Sequence, residues 1–297
     1  MKRRIFVAIL LVVAAFFVGR QVNRSKADDR PGRQDTRQSF RLKPGARVEV
    51  SGINGSVEIN TAETDTADVR VTYEAASPDD LEGRRVRVEH SPAGLYVRGE
   101  QQGGGFWRWL KGGGQVRVAV VLNVPRRIEV EARGVNGPVE VGEVEGSVKV
   151  TGVNGRVEVA EASGHTEVTG VNGGVKFGVA RLGEQGVEVK GVNGNVDIFL
   201  KTSVDANLEV KGHNGQVTLD VPNVTMQERE GRSRMRARFG AGGVPITVKG
   251  VNGNVRFESG AAAAGTAGVA ASSVGAASLP PPPPPAPVAP RAIPPQH

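Results

Sequence analysis

The sequence predicts an all-β protein in which short strands coil into a β-solenoid, a parallel β-helix-like stack of rungs. Three observations support this fold class. The tetrapeptide Gly-Val-Asn-Gly, or a close variant, occurs seven times. Shorter units recur every nine residues between the motifs, and within each unit valines alternate with polar residues. Such a repeat is typical of stacked supersecondary units, and the alternation is typical of half-buried strands.

The repeated Asn-Gly pairs are interpreted as structural turns. Asparagine tolerates the left-handed backbone region and glycine occupies it freely, so the chain can turn sharply there. Stacked asparagine side chains can also hydrogen-bond to one another as a ladder, which makes a role as ligands for an ion or a sugar the weaker interpretation. The turn residues are Asn54, Gly55, Asn136, Gly137, Asn154, Gly155, Asn172, Gly173, Asn193, Gly194, Asn214, Gly215, Asn252 and Gly253.

The spacing of the motifs defines the size of a rung. Successive motif glycines lie 82, 18, 18, 21, 21 and 38 residues apart, and glycines nine residues apart open similar units such as GSVKV and GRVEV. One rung is therefore two strand-turn units, with Asn-Gly turns along one edge. The long gaps are near-multiples of the short period, which predicts rungs that have lost the signature. Some ten or eleven rungs are expected at about 4.8 Å each.

An antiparallel β-sandwich, barrel or meander is the alternative fold. Asn-Gly is also the strongest short signal for a β-hairpin. A meander, however, leaves one apolar face that needs a cover, and the sequence contains no amphipathic helix to cover it. A solenoid buries its valines without help, so we favour the solenoid.

The two ends of the chain differ in composition from the repeats. Residues 1–27 are predicted to be a signal peptide or a signal-anchor, with basic residues at positions 2–4 and an apolar run from Ile5 to Val18. Residues 28–39 are predicted to be a polar spacer, residues 40–258 the β-solenoid repeat domain, and residues 259–297 a disordered tail rich in Ala, Gly and Pro. Both interpretations of the leader place the repeats outside the cytoplasm.

The net charge of +7 does not indicate a nucleic-acid-binding protein. Six of the 38 basic residues, and no acidic residue, lie in residues 1–27, which leaves 32 basic against 31 acidic residues in the rest of the chain. The excess of positive charge thus belongs to the leader and indicates targeting. We expect no nucleic-acid partner.

The sequence shows no constellation typical of an enzyme. It has no cysteine, and its four histidines lack the spacing of metal ligands. Nucleophile-elbow, Walker and dinucleotide-binding motifs are missing as well. We therefore predict no catalytic residue, no cofactor and no metal. Carboxylates meeting across stacked rungs, as in polysaccharide-acting β-helix enzymes, remain a third possibility.

Two segments that interrupt the repeat are candidate interaction sites. The first is a loop that contains Phe106, Trp107 and Trp109 between two triple glycines, residue types that are typical of an interaction site. The alternative interpretation is that this loop caps an open end of the solenoid. The second is a strand in which four arginines share one face that is a candidate interaction surface. The alternative interpretation is that this face is simply the solvated outer face of the strand. These arginines are Arg232, Arg234, Arg236 and Arg238.

As a set, these repeats resemble a known bacterial family. The chain resembles the β-strand-repeat family labelled putative adhesin, a domain of unknown function, and is similar to the adhesin-head domain named after Gly-Ile-Asn. Gly-Ile-Asn itself stands at residues 52–54. The resemblance covers residues 39–258 and rests on the opening FRLKPG, the Asn-Gly-x-Val-x-Val rungs and the closing RFGAGG. It implies an exported β-solenoid of the cell envelope and carries over no catalytic residue.

Together, these observations predict a non-enzymatic exported β-solenoid that serves as an adhesion or protein-interaction scaffold. Its partner is expected to be a protein or a surface glycan. The predicted location is the periplasm or the cell surface, with anchoring in the inner membrane through residues 5–18 if the leader is not cleaved. A membrane-anchored component of envelope-stress signalling is the alternative function.

Overall fold

The computed structural model describes residues 33–75, 84–101, 116–201, 204–230 and 234–260. All regular structure within these ranges is β-strand, arranged as one ten-stranded and one eleven-stranded sheet. The prediction of an all-β fold is therefore confirmed. The predicted leader, residues 1–27, and the predicted tail beyond Gly260 lie outside the described residues.

The strands are short, and most of them begin with a valine or another apolar residue. In chain order they are β1 (Arg33–Arg41), β2 (Ala46–Ser51), β3 (Val57–Ala62), β4 (Thr66–Glu74), β5 (Arg84–Ser91), β6 (Gly94–Gln101), β7 (Arg117–Pro125), β8 (Ile128–Val135), β9 (Val139–Val144), β10 (Val148–Val153), β11 (Val157–Ala162), β12 (Thr166–Val171), β13 (Val175–Val179), β14 (Val187–Val192), β15 (Val196–Leu200), β16 (Ala206–Lys211), β17 (Val217–Asp220), β18 (Val224–Glu230), β19 (Arg234–Phe239), β20 (Val244–Val251) and β21 (Val255–Ser259).

In the middle of the chain, successive strands alternate between the two sheets. Strands β8, β10, β12 and β14 pair in parallel within the eleven-stranded sheet, while β9, β11, β13 and β15 pair in parallel within the ten-stranded sheet. The Asn-Gly turn thus carries the chain from one sheet to the other, whereas a hairpin turn would return it beside the preceding strand. This coiling buries the valines of both sheets against each other, as the solenoid interpretation requires.

The order of the rungs in space differs from their order in the sequence. The rung β2–β3 lies between β6–β7 and β8–β9, and the last rung, β20–β21, lies between β14–β15 and β16–β17. Asn54 consequently forms a parallel bridge with Asn136, although the two are 82 residues apart. The two long gaps between motifs encode strands β4–β7 and β18–β19. These strands lie beyond the two ends of the run of motif rungs and not between its rungs.

The ten-stranded sheet becomes antiparallel at one end and the eleven-stranded sheet at both ends, so the stack is mixed and not purely parallel. Strands β1, β4 and β7 pair antiparallel at one end of the ten-stranded sheet. In the eleven-stranded sheet, β5 pairs antiparallel with β6, and β19 pairs antiparallel with both β16 and β18. Edge strands added in this way cover backbone groups that the parallel rungs would leave unpaired.

Strand β1 corrects one predicted boundary. Residues 33–39, which the sequence assigns to the polar spacer, form most of β1 and pair in register with β4. This strand lacks the alternation of apolar and polar residues because it lies at the sheet edge, where Gln34, Thr36 and Gln38 occupy the core-facing positions opposite β4. A strand with polar residues on both faces carries no periodic signal in the sequence.

The core is one continuous cluster of aliphatic side chains between the sheets. The second residue of the motif points inward at six of the seven corners and is at most 1% exposed there: Ile53, Val135, Val153, Val171, Val192 and Val251. At the remaining corner His213 takes this position and is only half-buried. Each buried valine contributes about 1.5–3 kcal/mol relative to an exposed one, so many small contributions hold the stack together.

Candidate interaction surfaces

The seven motif asparagines form one unbroken ladder along a corner of the stack. Six of the seven side-chain amide nitrogens donate a hydrogen bond to the amide oxygen of the asparagine on the neighbouring rung, over distances of 2.7–3.1 Å, and Asn54 only accepts. All donors point in the same direction along the stack. In spatial order the ladder is Asn54, Asn136, Asn154, Asn172, Asn193, Asn252 and Asn214.

The turn geometry differs in one respect from the one expected for Asn-Gly. The motif asparagines do not adopt positive φ, and Asn223 is the only described non-glycine residue that does. The left-handed residue is instead the first glycine of each motif, with φ between 60° and 66° at all seven corners. The glycine thus makes the turn, and the asparagine side chain is left to bond to the asparagine of the neighbouring rung.

The predicted tryptophan loop cannot be placed. Phe106, Trp107 and Trp109 lie outside the described residues, in the range 102–115. The strands on either side of this range, β6 and β7, belong to different sheets. Whether the loop caps the stack or binds a partner therefore stays a prediction.

The predicted arginine strand is β19, and its arginines share the outer face of the sheet. Arg234, Arg236 and Arg238 alternate with the buried residues Met235, Ala237 and Phe239, while Arg232 lies outside the described residues. The guanidinium of Arg236 contacts Glu209 at 3.2 Å and Glu228 at 2.7 Å.

The pKa values at β19 reflect these ion pairs. The hydrogen bond to Glu209, followed by the charge of Glu228, raises the pKa of Arg236 above its usual range. The pKa of Glu209 is lowered, first by its hydrogen bond with Lys211, and burial only partly opposes this effect. The charge of Arg236 is therefore balanced by carboxylates on the two neighbouring strands, β16 and β18.

One row of positions on the outer face of the eleven-stranded sheet contains four glutamates and one lysine. The strand register places Glu49, Glu131, Lys149, Glu167 and Glu188 in one row. Lys149 contacts Glu167 at 2.8 Å, and this hydrogen bond is the main reason why the pKa of Glu167 is lowered. Cross-strand pairs of opposite charge stabilise a sheet by about 0.2–1 kcal/mol each.

The most buried charges of this face surround Glu131. Its carboxylate is 8% exposed and binds Arg47 and Arg133, while neighbouring Glu49 lies 3.7 Å from Arg47 and 3.8 Å from Arg98. A shallow depression of the outer face adjoins this cluster and includes Lys149 among its lining residues. Because the carboxylates are engaged by arginines, we interpret the cluster as an ionic network that ties three rungs together.

Three glutamates also stack on the outer face of the ten-stranded sheet. Glu58, Glu140 and Glu158 occupy equivalent positions on adjacent strands. Arg156 lies 3.1 Å from Glu158 and 3.8 Å from Glu140, and the side chain of Asn60 donates a hydrogen bond of 2.7 Å to Glu58. The glutamates of this row are therefore held by one neighbouring arginine and one neighbouring asparagine.

Sequence reasoning missed a group of arginines at the β1 end of the ten-stranded sheet. Arg37 on β1 stands directly opposite Arg70 on β4, and Arg41 and Arg117 lie on the same outer face. All four are exposed, and none of them has a carboxylate within ion-pair distance among the described residues. We call these four residues the β1–β4 arginine patch. The pairing of residues 37 and 70 is a long-range contact that no local pattern encodes.

The two ends of the stack are closed differently. At the β1 end, the backbone N–H of Val86 donates a hydrogen bond of 2.7 Å to the buried hydroxyl of Tyr73, and the ring of His90 stacks on Phe40 at 5.1 Å. Burial raises the pKa of Tyr73, and the hydrogen bond from Val86 opposes this shift. These contacts join the two sheets at this end.

At the other end, β17 is the last strand of the ten-stranded sheet in the described residues. Its core-facing residues, Val217 and Leu219, are only partly buried, and nearby Met226 on β18 is 48% exposed. The carbonyl of Gln216 accepts a hydrogen bond from Val255 on β21, so the backbone groups of Val217 and Leu219 point to the open side. This edge of the sheet is available for pairing with another strand.

A comparison with solved structures finds similar chains of low sequence identity. A putative cell adhesion protein from Clostridium sporogenes is 12% identical over 76% of this chain and 100% of its own length, with a TM-score of 0.34. Two structures described as putative adhesins are also similar. The one from Parabacteroides distasonis is 9% identical over 75% of this chain and 97% of its own, with a TM-score of 0.30. The one from Bacteroides fragilis is 10% identical over 76% and 98%, with a TM-score of 0.27.

No protein-family model matches the chain, and no curated protein sequence matches it. Within the described residues, no group of three or more histidine, aspartate or glutamate side chains is placed to hold a metal ion. The same part of the chain contains no helix long and apolar enough to cross a membrane. The ring of His165 bonds through Nδ1 to the backbone carbonyl of Gly186 at 2.9 Å.

Proposed function

We propose that this protein is a non-enzymatic scaffold of the cell envelope that is exported and makes adhesive or protein contacts. The observation that carries the proposal is the open edge at β17. One end of the stack is joined by Tyr73, Val86, Phe40 and His90, whereas the other presents unpaired backbone groups and partly exposed apolar side chains. Addition of a partner strand to such an edge is a common mode of protein recognition.

The long, regular body of the molecule supports the same proposal. Its outer faces consist of paired charges that repeat from rung to rung, as in the Lys149–Glu167 and Arg156–Glu158 contacts. A stack of this kind is stiff because each rung is bonded to two neighbours along its whole length. Solenoids commonly use such surfaces to hold or display a contact site.

Protease treatment of intact cells that produce the full chain tests export and surface display. The proposed function expects cleavage within the repeats in intact cells, together with a loss of cell adherence when the chain is deleted. Amino-terminal sequencing of the mature protein determines whether residues 1–27 are retained. Repeats that become accessible only after the outer permeability barrier is opened would contradict surface adhesion and favour the envelope-stress function.

The role of the open edge is tested by Val217→Pro. Proline removes a backbone N–H on the open side of β17 and leaves the hydrogen bonds to β21 in place. We expect adherence to fall while the melting temperature of the protein changes little. Thr218→Ala is the control, because residue 218 faces β21 through its backbone and the outer surface through its side chain. Equal adherence of both variants and the parent would argue against β17 as the contact site.

A further inference from the structure

We infer that the β1–β4 arginine patch binds the anionic headgroups of the membrane to which the chain is tethered. The patch comprises Arg37, Arg41, Arg70 and Arg117 on the outer face of β1, β4 and β7. This inference rests on the proposed export with residues 5–18 held in the membrane. The inference assigns anionic lipid headgroups as the ligand of the β1–β4 arginine patch, a surface that is separate from the β17 edge.

The first argument is the contrast between this patch and the other arginines of the same sheet. Arg156 and Arg256 lie 3.1 and 3.2 Å from a glutamate. No such partner exists among the described residues for Arg37 or Arg70. Three acids share this outer face: Asp68 accepts a hydrogen bond from Ser39, and Asp35 and Glu74 lie 3.8 and 4.0 Å from Arg33. The patch together with Arg33 outnumbers them, so the face keeps a positive excess.

The second argument is the cost of the Arg37–Arg70 pairing. Two like charges placed directly opposite each other on neighbouring strands destabilise a sheet. Charged residues on an edge strand can protect it against aggregation, which would account for Arg37 on β1. That explanation does not extend to Arg70, because β4 is an interior strand covered by β1 on one side and β7 on the other. An external anion removes the repulsion by neutralising both charges.

The third argument is position along the chain. The apolar run ends at Val18 and β1 begins at Arg33, so only the 14 residues 19–32 separate them. A chain of that length spans at most about 50 Å, which keeps β1 near the bilayer if residues 5–18 lie in it. The intervening residues add four more basic side chains: Arg20, Arg24, Lys26 and Arg30. Basic clusters next to a membrane segment are attracted to anionic lipids.

The repeat domain as a whole provides no such attraction. Residues 40–258 contain 28 basic and 28 acidic residues, so the domain is neutral overall. The attraction is therefore local, and it orients the stack with its β1 end toward the bilayer. In that orientation the β17 edge, at the opposite end of the ten-stranded sheet, points away from the membrane.

Hydrogen exchange of the full chain in lipid nanodiscs tests this inference. The protein is reconstituted in phosphatidylcholine alone or in phosphatidylcholine mixed with phosphatidylglycerol, and exchange is measured for peptides from β1 and β4. We expect slower exchange with phosphatidylglycerol only, and a loss of this protection at high salt. In the Arg37→Gln, Arg70→Gln double variant, the lipid-dependent protection should fall by more than about tenfold.

The matched control is the Arg156→Gln, Arg256→Gln double variant. It makes the same change of charge on the outer face of the same sheet, but at arginines that have glutamate partners. The control should keep the lipid-dependent protection and melt at a lower temperature. The Arg37→Gln, Arg70→Gln variant should melt at an unchanged or higher temperature, because it relieves a repulsion and breaks no ion pair.

Three results would overturn the inference. The first is exchange at β1 and β4 that is the same in both lipid mixtures. The second is protection by phosphatidylglycerol that survives in the Arg37→Gln, Arg70→Gln variant. The third is protection by a DNA duplex in neutral nanodiscs that exceeds the protection by phosphatidylglycerol, which would identify a nucleic-acid surface. None of these results bears on adherence or on the β17 edge, so the proposed function is tested separately.

Discussion

Each Gly-Val-Asn-Gly corner contains two glycines with different physical roles. The first glycine, such as Gly152, has φ near +65°, but an added Cβ would lie 3.8 Å from the nearest atom of the next rung. The second, such as Gly155, lies against the carbonyl group of Gly137, and an added Cβ would overlap it. The first position therefore demands a backbone conformation, and the second demands the absence of a side chain.

We expect Gly155→Ala to destabilise the protein more than Gly152→Ala does. Alanine at position 152 adopts a left-handed conformation at a cost of about 1–2 kcal/mol. Alanine at position 155 forces two backbones apart and should cost more than about 3 kcal/mol. Urea unfolding followed by circular dichroism measures both. Gly174→Ala is the control, since its added Cβ meets nothing closer than 3.9 Å, and an equal cost at all three positions would contradict this division of roles.

The asparagine ladder makes a second prediction at the scale of single residues. Asn154→Ala with Asn172→Ala removes three consecutive side-chain hydrogen bonds, those joining Asn136, Asn154, Asn172 and Asn193. We expect a loss of about 1 kcal/mol for each bond, seen as a lower melting temperature. Asn123→Ala is the control, because Asn123 is exposed on β7 and belongs to no ladder. A double variant as stable as this control would show that the ladder contributes nothing.

At the scale of strands, closure of the β1 end depends on one buried hydroxyl. Tyr73→Phe leaves the partly buried N–H of Val86 without its acceptor, which costs about 1 kcal/mol. We expect faster hydrogen exchange in β5 and a modest fall in melting temperature. Tyr96→Phe makes the same chemical change on the outer face, where the ring lies beneath Arg98. Similar effects of the two variants would mean that the Tyr73 hydroxyl does not hold β5 in place.

The paired charges between strands predict a response to acid. The pKa values of Glu167 and Glu209 are lowered from their ordinary value of 4.5, mainly by hydrogen bonds with Lys149 and Lys211. Their stabilising contribution is present above pH 4.5 and is lost as the pH falls through the lowered folded-state values. Stability measured against pH should therefore decline less steeply below pH 4.5 in the Glu167→Gln, Glu209→Gln variant. Glu129→Gln, at an exposed position without an ion pair among the described residues, should leave the decline unchanged.

At the scale of the whole molecule, the last rung is an interior part of the stack. Strands β20 and β21 end the described chain, yet each has a neighbouring strand on both sides. A chain truncated after Gly243 therefore loses the contacts that join β14–β15 to β16–β17. We expect it to melt far below the parent and without a single cooperative transition, as judged by calorimetry. Truncation after Gly260 keeps every described strand and serves as the control.

Unchanged cooperativity after truncation at Gly243 would contradict the interleaved order of rungs. In a stack whose rungs follow one another in the order of the sequence, removal of the last rung removes only its interface with one neighbouring rung. In the observed stack it removes two interfaces and leaves a gap in both sheets. The two truncations therefore distinguish the spatial order of the rungs from their order in the chain.

The sequence by itself determined the repeating parts of this protein. Alternating valines specify strands because each strand buries one face, and the regular glycines specify corners because only glycine meets their steric and conformational demands. Those signals are local, and they recur in every rung. They were sufficient to predict an all-β stack, the Asn-Gly edge and the outward-facing arginines of β19.

Only the tertiary structure decided how rungs distant in sequence are ordered and how the ends are closed. All motif rungs present the same turn glycines and asparagine, and most of them the same valine, so the local pattern does not specify whether Asn193 adjoins Asn214 or Asn252. The edge strand β1 has no apolar alternation, because its role is to pair with β4 and not to enclose a core. For the same reason the Arg37–Arg70 pair, created by that pairing across 33 residues, became visible only when the strands were in register.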